Sequence, residues 1–149
     1  MEIIHYSITI EAPVGSVWNT MLDPVTYGVW TKPFSPSSYY EGGWEEGSEI
    51  RFLMTREDGS TGGMYSRIKK RIDHQFISIE HLGTIENGII DTASEAVKKW
   101  APSFENYTLQ ANGHQTKLIV DMETDAEYKP VLEKMWPQAL QLLKGLCEE

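Results

Sequence analysis

Residues 127–149, EYKPVLEKMWPQALQLLKGLCEE, constrain the fold more than any other stretch of the chain. At about 100° per residue, Tyr128, Val131, Leu132, Met135, Ala139, Leu142, Leu143 and Leu146 fall on one side, and Glu133, Lys134, Gln138, Gln141 and Lys144 fall opposite. A helix with so long an apolar stripe has to lie on an apolar surface of comparable length. Pro130 suits a first turn, where its missing N–H costs nothing. Pro137 sits in the interior, where it removes one hydrogen bond and its ring crowds the carbonyl four residues earlier. A bend near Trp136 is therefore expected, and a bent helix fits a curved support. Trp136 and Leu140 are placed at the edge of the stripe, facing space beside the main contact.

The support is read from the preceding residues. EIIHYSITI alternates Ile4, Tyr6, Ile8 and Ile10 on one face, the period of a half-buried strand. Val14, Val17, Trp18 and Met21 then recur at helical spacing after Pro13, and Asp23-Pro24 opens a second short helix ending near Trp30. Strand-like runs follow around Ser38 to Glu41 and in SEIRFLMTR, GGMYSRIKKRI and QFISIEHL, with turn-forming segments between them. GTIENGII reads as irregular. DTASEAVKKW offers Thr92 and Glu95 at capping-box spacing for a short inserted helix. Two further strands flank the Asn112-Gly113 pair, a strong hairpin signal. This order predicts an α+β fold in one domain over residues 1–149: a curved antiparallel sheet of about six to seven strands, two short helices, and a long C-terminal helix across the concave face.

Charge and cysteine content narrow the function classes. A formal net charge of −9 disfavours nucleic-acid backbones and anionic lipid surfaces, both of which reward clustered Lys and Arg. Glu2 stands where a secretory leader would be basic, and no apolar run approaches the roughly 18 residues of a membrane span, so a cytoplasmic location is expected. Cys147 is the only cysteine, which leaves no internal disulfide and no thiolate metal centre.

The order of elements, HLG after the middle strands, ENYTL followed by NGHQTKLIVDME, and the closing MWPQALQLLK together resemble the helix-grip superfamily of START-like and birch-pollen-allergen-like proteins. Within it the chain looks most similar to the branch named after activators of the 90-kDa heat-shock protein ATPase. The resemblance implies a cavity between sheet and long helix that holds an apolar ligand. It supplies no shared set of catalytic residues and no cofactor.

Strand phase places Ile50, Phe52, Met54, Met64, Ile68, Ile77, Ile79, His81, Tyr107, Leu109, Leu118, Val120 and Met122 on one face of the sheet. Most of these are core. The bulky members nearest the helical elbow, Tyr27, Trp30, Phe34, Trp100, Trp136 and Leu140 with Met54, Met64 and Tyr107, are the expected cavity wall, since large aromatic and adaptable thioether side chains suit a pocket of irregular shape. His81 is the polar candidate, either as a hydrogen-bonding partner or as a base; a core histidine satisfied by Tyr107 or a backbone carbonyl is the bland alternative. Glu80 lies on the opposite face. Asp121, Glu123 and Asp125 share an outward face that does not wrap a cation, so no metal is expected. No nucleophile elbow or Ser-His-acid spacing occurs. Three functions remain open on sequence grounds: binding of a small apolar or amphipathic molecule, which ranks first; a co-chaperone-like partner role implied by the branch; and a cyclase- or dehydratase-type enzyme using His81. The oligomeric state and the ligand's identity are not written in these residues.

Overall fold

In a computed structural model describing residues 1–149, the alternating N-terminal segment forms β1 (Glu2–Ile10). The elbow follows as α1 (Val14–Leu22) and α2 (Pro24–Trp30). Asp23 makes the corner: its carboxylate accepts the Val25 and Thr26 amides at 2.9 and 3.2 Å, while Pro24 occupies the first turn of α2 without wasting a donor. The meander comprises β2 (Tyr39–Gly42), β3 (Glu49–Thr55), β4 (Thr61–Ile72), β5 (Phe76–Glu86) and the short β6 (Ile89–Asp91). After α3 (Glu95–Lys98) come β7 (Ser103–Asn112), β8 (Gln115–Thr124) and the closing helix α4 (Lys129–Cys147).

All strand pairings are antiparallel, in the order β1-β8-β7-β5-β4-β3-β2, with β6 added beside β5. The result is a curved open sheet with the helices on its concave side, an α+β architecture of eight strands rather than six to seven. The additional strand comes from the stretch read as irregular. Asn87 and Gly88 take positive φ of 49° and 82°, the conformation a two-residue primed turn requires at both positions, and they fold β6 back on β5. Two smaller differences concern turn chemistry. Ser94, not Thr92, caps α3 by accepting the Val97 amide. The β7–β8 loop is Gly113-His114, one residue later than the Asn-Gly pair, because Asn112 still pairs with Gln115.

The long helix is continuous through Pro137, whose ring lies on its exposed side. Proline at 137 deprives the Glu133 carbonyl of its usual amide donor. The Tyr6 hydroxyl on β1 donates to that carbonyl at 3.3 Å, so the broken rung is replaced by a tie from helix to sheet. The buried face differs from the stripe inferred by periodicity. Trp136, Ala139, Leu140 and Leu143 are buried, while Tyr128, Val131 and Leu142 are 60%, 46% and 41% exposed. Trp136 and Leu140 are thus at the centre of the contact. The reason is size: burying an indole gains more than burying a valine, so the helix turns its 136/139/140/143 positions inward.

Under this face lies a core drawn from α1 (Val17, Trp18, Met21) and from the sheet (Ile50, Ile68, Ile77, Ile79, Leu109, Leu118, Val120). Leu143→Ala is expected to cost about 2–5 kcal/mol in chemical denaturation, whereas Leu142→Ala costs under about 1. Tyr6→Phe is expected to cost about 0.5–1 kcal/mol, and a double-mutant cycle should show most of that loss vanishing in a Pro137→Ala background, where an amide is restored to Glu133. Additivity of the two changes would show that the Tyr6 hydroxyl does not replace the missing rung.

Candidate functional site

A cavity of about 500 Å³ lies between the concave face of the sheet, α2 with the turn after it, and the N-terminal half of α4. Tyr128, which caps α4, and Leu132 and Trp136 on it line the cavity at one-turn spacing, whereas Ala139, Leu140 and Leu143 further along are packed into the core. The helix therefore stands off the sheet at one end and seals against it at the other. Met1 and Tyr128, which line the cavity and are 59% and 60% exposed, mark its mouth. Tyr27 and Trp30 come from α2, Phe34 from the following turn, Met54 from β3, Met64 from β4, His81 from β5, Trp100 from the segment after α3, and Tyr107 from β7. With Trp136 these are nine of the ten residues singled out in the sequence. The tenth, Leu140, does not line the cavity. It is 3% exposed inside the core cluster, because the rotation of α4 that brings Trp136 inward takes Leu140 with it.

The aromatic side chains form a continuous wall. Trp136 packs against Trp30, Phe34 and Tyr107 at centroid separations of 6.3, 4.9 and 6.1 Å, and Tyr27 meets Trp30 and Phe52 at 5.6 and 6.1 Å. These are edge-on and tilted contacts, the geometries in which aromatic quadrupoles attract. The indole N–H of Trp136 is buried without a protein acceptor, an unusual condition for a buried donor.

Beside this wall runs a buried polar chain. His81 Nδ1 is 2.7 Å from the Ser66 hydroxyl and its Nε2 is 2.9 Å from Glu105 Oε1, while the Tyr107 hydroxyl donates a very short hydrogen bond to the other Glu105 oxygen. Nε2–H donates to the carboxylate and Nδ1 pairs with the Ser66 hydroxyl, which can donate or accept, so both ring nitrogens are satisfied within the protein. A β-bulge creates the chain. The β4–β5 register runs Tyr65↔Gly83 and then Ser66↔His81, so Leu82 is skipped and Ser66 comes opposite the imidazole. Hydroxyl, imidazole and carboxylate thus line up in the order of a hydrolytic triad that no sequence spacing disclosed. Ser66, however, is fully buried and is not part of the cavity wall, so its oxygen cannot reach a bound molecule.

Glu105 is the important residue that sequence reasoning passed over, and a signal was present. It stands two positions before Tyr107 on the same strand, hence on the same face. Its charge acts on the phenols around it. Burial first, then the neighbouring Glu105 carboxylate, pushes the hydroxyls of both Tyr107 and Tyr27 well above the ordinary tyrosine range. Both remain protonated, as hydrogen-bond donors rather than phenolate bases.

Of the other acidic candidates, Glu80 and Asp121 are engaged away from the cavity, whereas Glu123 and Asp125, expected on an outward face, line it where β8 gives way to α4. Glu80 holds Arg67 at 2.6 Å on the opposite face of β5. Asp121 meets His5 at 2.5 Å, Glu123 accepts the Phe104 amide at 2.9 Å, and Asp125 accepts the Tyr128 amide at 2.9 Å, opening α4. No group of three or more His, Cys, Asp or Glu side chains is arranged to hold a metal ion, and no helix is long and apolar enough to cross a membrane.

No protein-family model matches this chain, and no curated protein sequence matches it significantly. Solved structures do. The Aha1 dimer from Colwellia psychrerythraea superposes with a TM-score of 0.71 at 18% identity, covering 99% of this chain and 97% of that one. A protein from Nitrosomonas europaea gives 0.70 at 15% identity over 97% and 92% of the two chains. CalU16 from Micromonospora echinospora gives 0.62 at 18% identity over 97% and 73%. At such identities the likeness establishes the fold, which is helix-grip.

The buried phenols make alkaline pH the sensitive direction. Above about pH 10 the unfolded chain releases protons from Tyr27 and Tyr107 that the folded chain retains. Stability is therefore full below that pH and falls as pH rises, by up to about 1.4 kcal/mol per pH unit for each such group. Urea denaturation between pH 9 and 12 is expected to show this fall, with a shallower slope in Tyr107→Phe; an unchanged slope in that variant would place Tyr107 in water.

Proposed function

We propose that this protein binds a small amphipathic molecule in the cavity between the sheet and the N-terminal half of α4. One observation carries the reading: a cavity of about 500 Å³ remains under the long helix, walled by aromatic and Met side chains, although the same helix packs solidly against the core one turn later. Protein interiors leave few voids larger than a water molecule, and a space of this size and lining is typical of a ligand site.

Binding is preferred to catalysis because both nitrogens of His81 are already engaged, by Ser66 and Glu105. A base acting on a bound substrate needs one nitrogen within hydrogen-bonding reach of it. The roles of the lining residues follow from their chemistry: Trp30, Phe34 and Trp136 give the apolar wall, Met54 and Met64 its adaptable opposite side, and His81 with Glu105 the polar end.

Nile red, a neutral apolar dye, is expected to bind saturably with a blue-shifted emission and to be displaced by 1-decanol. Met54→Trp, which fills the cavity from the sheet side, should weaken dye binding about tenfold or more while thermal unfolding stays cooperative. Full-strength binding to that variant would put the dye on the outer surface and count against the site.

A further inference from the structure

The charge of the cavity wall specifies which amphipathic molecules it takes. Four carboxylates line it, from Glu86, Glu105, Glu123 and Asp125, against a single guanidinium, Arg56. That guanidinium is already spent: its two terminal nitrogens hold the two oxygens of Glu86 at 2.9 Å each. The remaining carboxylates have no Lys or Arg partner. Glu105 is the decisive one, since its side chain is 15% exposed and its hydrogen bonds come from the His81 imidazole and the Tyr107 hydroxyl. A buried carboxylate that no Lys or Arg neutralises is costly, and a cation placed beside it recovers part of that cost. The surrounding side chains offer the second half of an ammonium site. Tyr27, Phe52, Tyr107 and Trp136 present aromatic surfaces around the same space, and the quadrupole of an aromatic face attracts a cation. A fatty-acid-like carboxylate would meet the opposite: a like charge at close range, with the one guanidinium of the wall already paired to Glu86.

We infer that the cavity selects organic cations, namely amphiphiles carrying an amine or quaternary ammonium group, and rejects carboxylates. The ammonium head lies against Glu105 between aromatic faces, and the apolar tail runs along Trp30, Phe34 and Leu132 toward the mouth. This inference rests on the reading of the cavity as a ligand site.

The test is a competition series against Nile red with three molecules sharing one ten-carbon chain: decyltrimethylammonium, 1-decanol and decanoate, each below its micellar concentration. The neutral alcohol tests the cavity alone. The ammonium compound is expected to bind about tenfold tighter than the alcohol, and decanoate at least about tenfold weaker than it. Glu105→Gln, which keeps the shape and an acceptor, should bring the cation within about threefold of the alcohol without weakening the alcohol. Leu132→Lys supplies the missing positive charge from α4 and should reduce the cation preference in the same way if the Gln variant does not fold. Decanoate binding as tightly as the cation, or an unchanged preference in a folded charge variant, overturns the inference while leaving the ligand site standing. Failure of all three molecules, the alcohol included, overturns the site itself and the inference with it.

Discussion

The seating of Trp136 decides both the stability and the hollowness of this fold. Its indole packs against Trp30 of α2, Phe34 beyond it and Tyr107 of β7, so one side chain joins the long helix, the elbow and the sheet. On the C-terminal side of this anchor the helix offers Ala139, Leu140 and Leu143, whose modest volumes let it approach the core closely. On the N-terminal side it offers Leu132 and Tyr128, and there the sheet curves away and the cavity opens. The tie from Tyr6 to the Glu133 carbonyl falls at the junction, where Pro137 has interrupted the helical ladder. A proline that would weaken a free helix is tolerated here because the sheet supplies the missing donor.

A second dependence runs through the sheet. The bulge at Leu82 changes which face β5 presents: Ile77, Ile79 and His81 point inward before it, while Thr84 and Glu86 line the cavity after it. The same irregularity sets Ser66 against His81 and so completes the buried chain to Glu105 and Tyr107. A buried polar chain is favourable only when each member is satisfied, and this one is. Its consequence is a histidine fixed by two neighbours and a carboxylate whose charge is felt across the cavity. The site is therefore polar at one end and aromatic along its length, a form that suits recognition better than proton transfer.

How much of this was legible beforehand follows from which physical signals are local. Nine of the ten residues singled out for the cavity line it, because strand phase and helical period depend only on neighbours in sequence. The alternation legible in β5 ends at Leu82 because a bulge has no composition of its own. Once alternation fails, a strand that continues with its faces exchanged looks like a loop. The Asn87-Gly88 turn was written in plain residues, yet it lies beyond that interruption and was lost with it. Leu140 was misplaced for a different reason: periodicity finds the axis of an apolar stripe but cannot weigh one indole against several smaller side chains.

The order of elements, the curved antiparallel sheet under a long helix, and the face of each strand up to its first irregularity are legible in the residues alone. These are consequences of spacing and turn chemistry, which act over a few residues. The rotation of α4, the partnership of Ser66, His81 and Glu105, and the excess of carboxylate over cation along the cavity arise with packing. Each of these joins residues from separate strands or from helix and sheet, and the energies that settle them, burial of a large ring and the pairing or isolation of a buried charge, exist only once the elements are packed together.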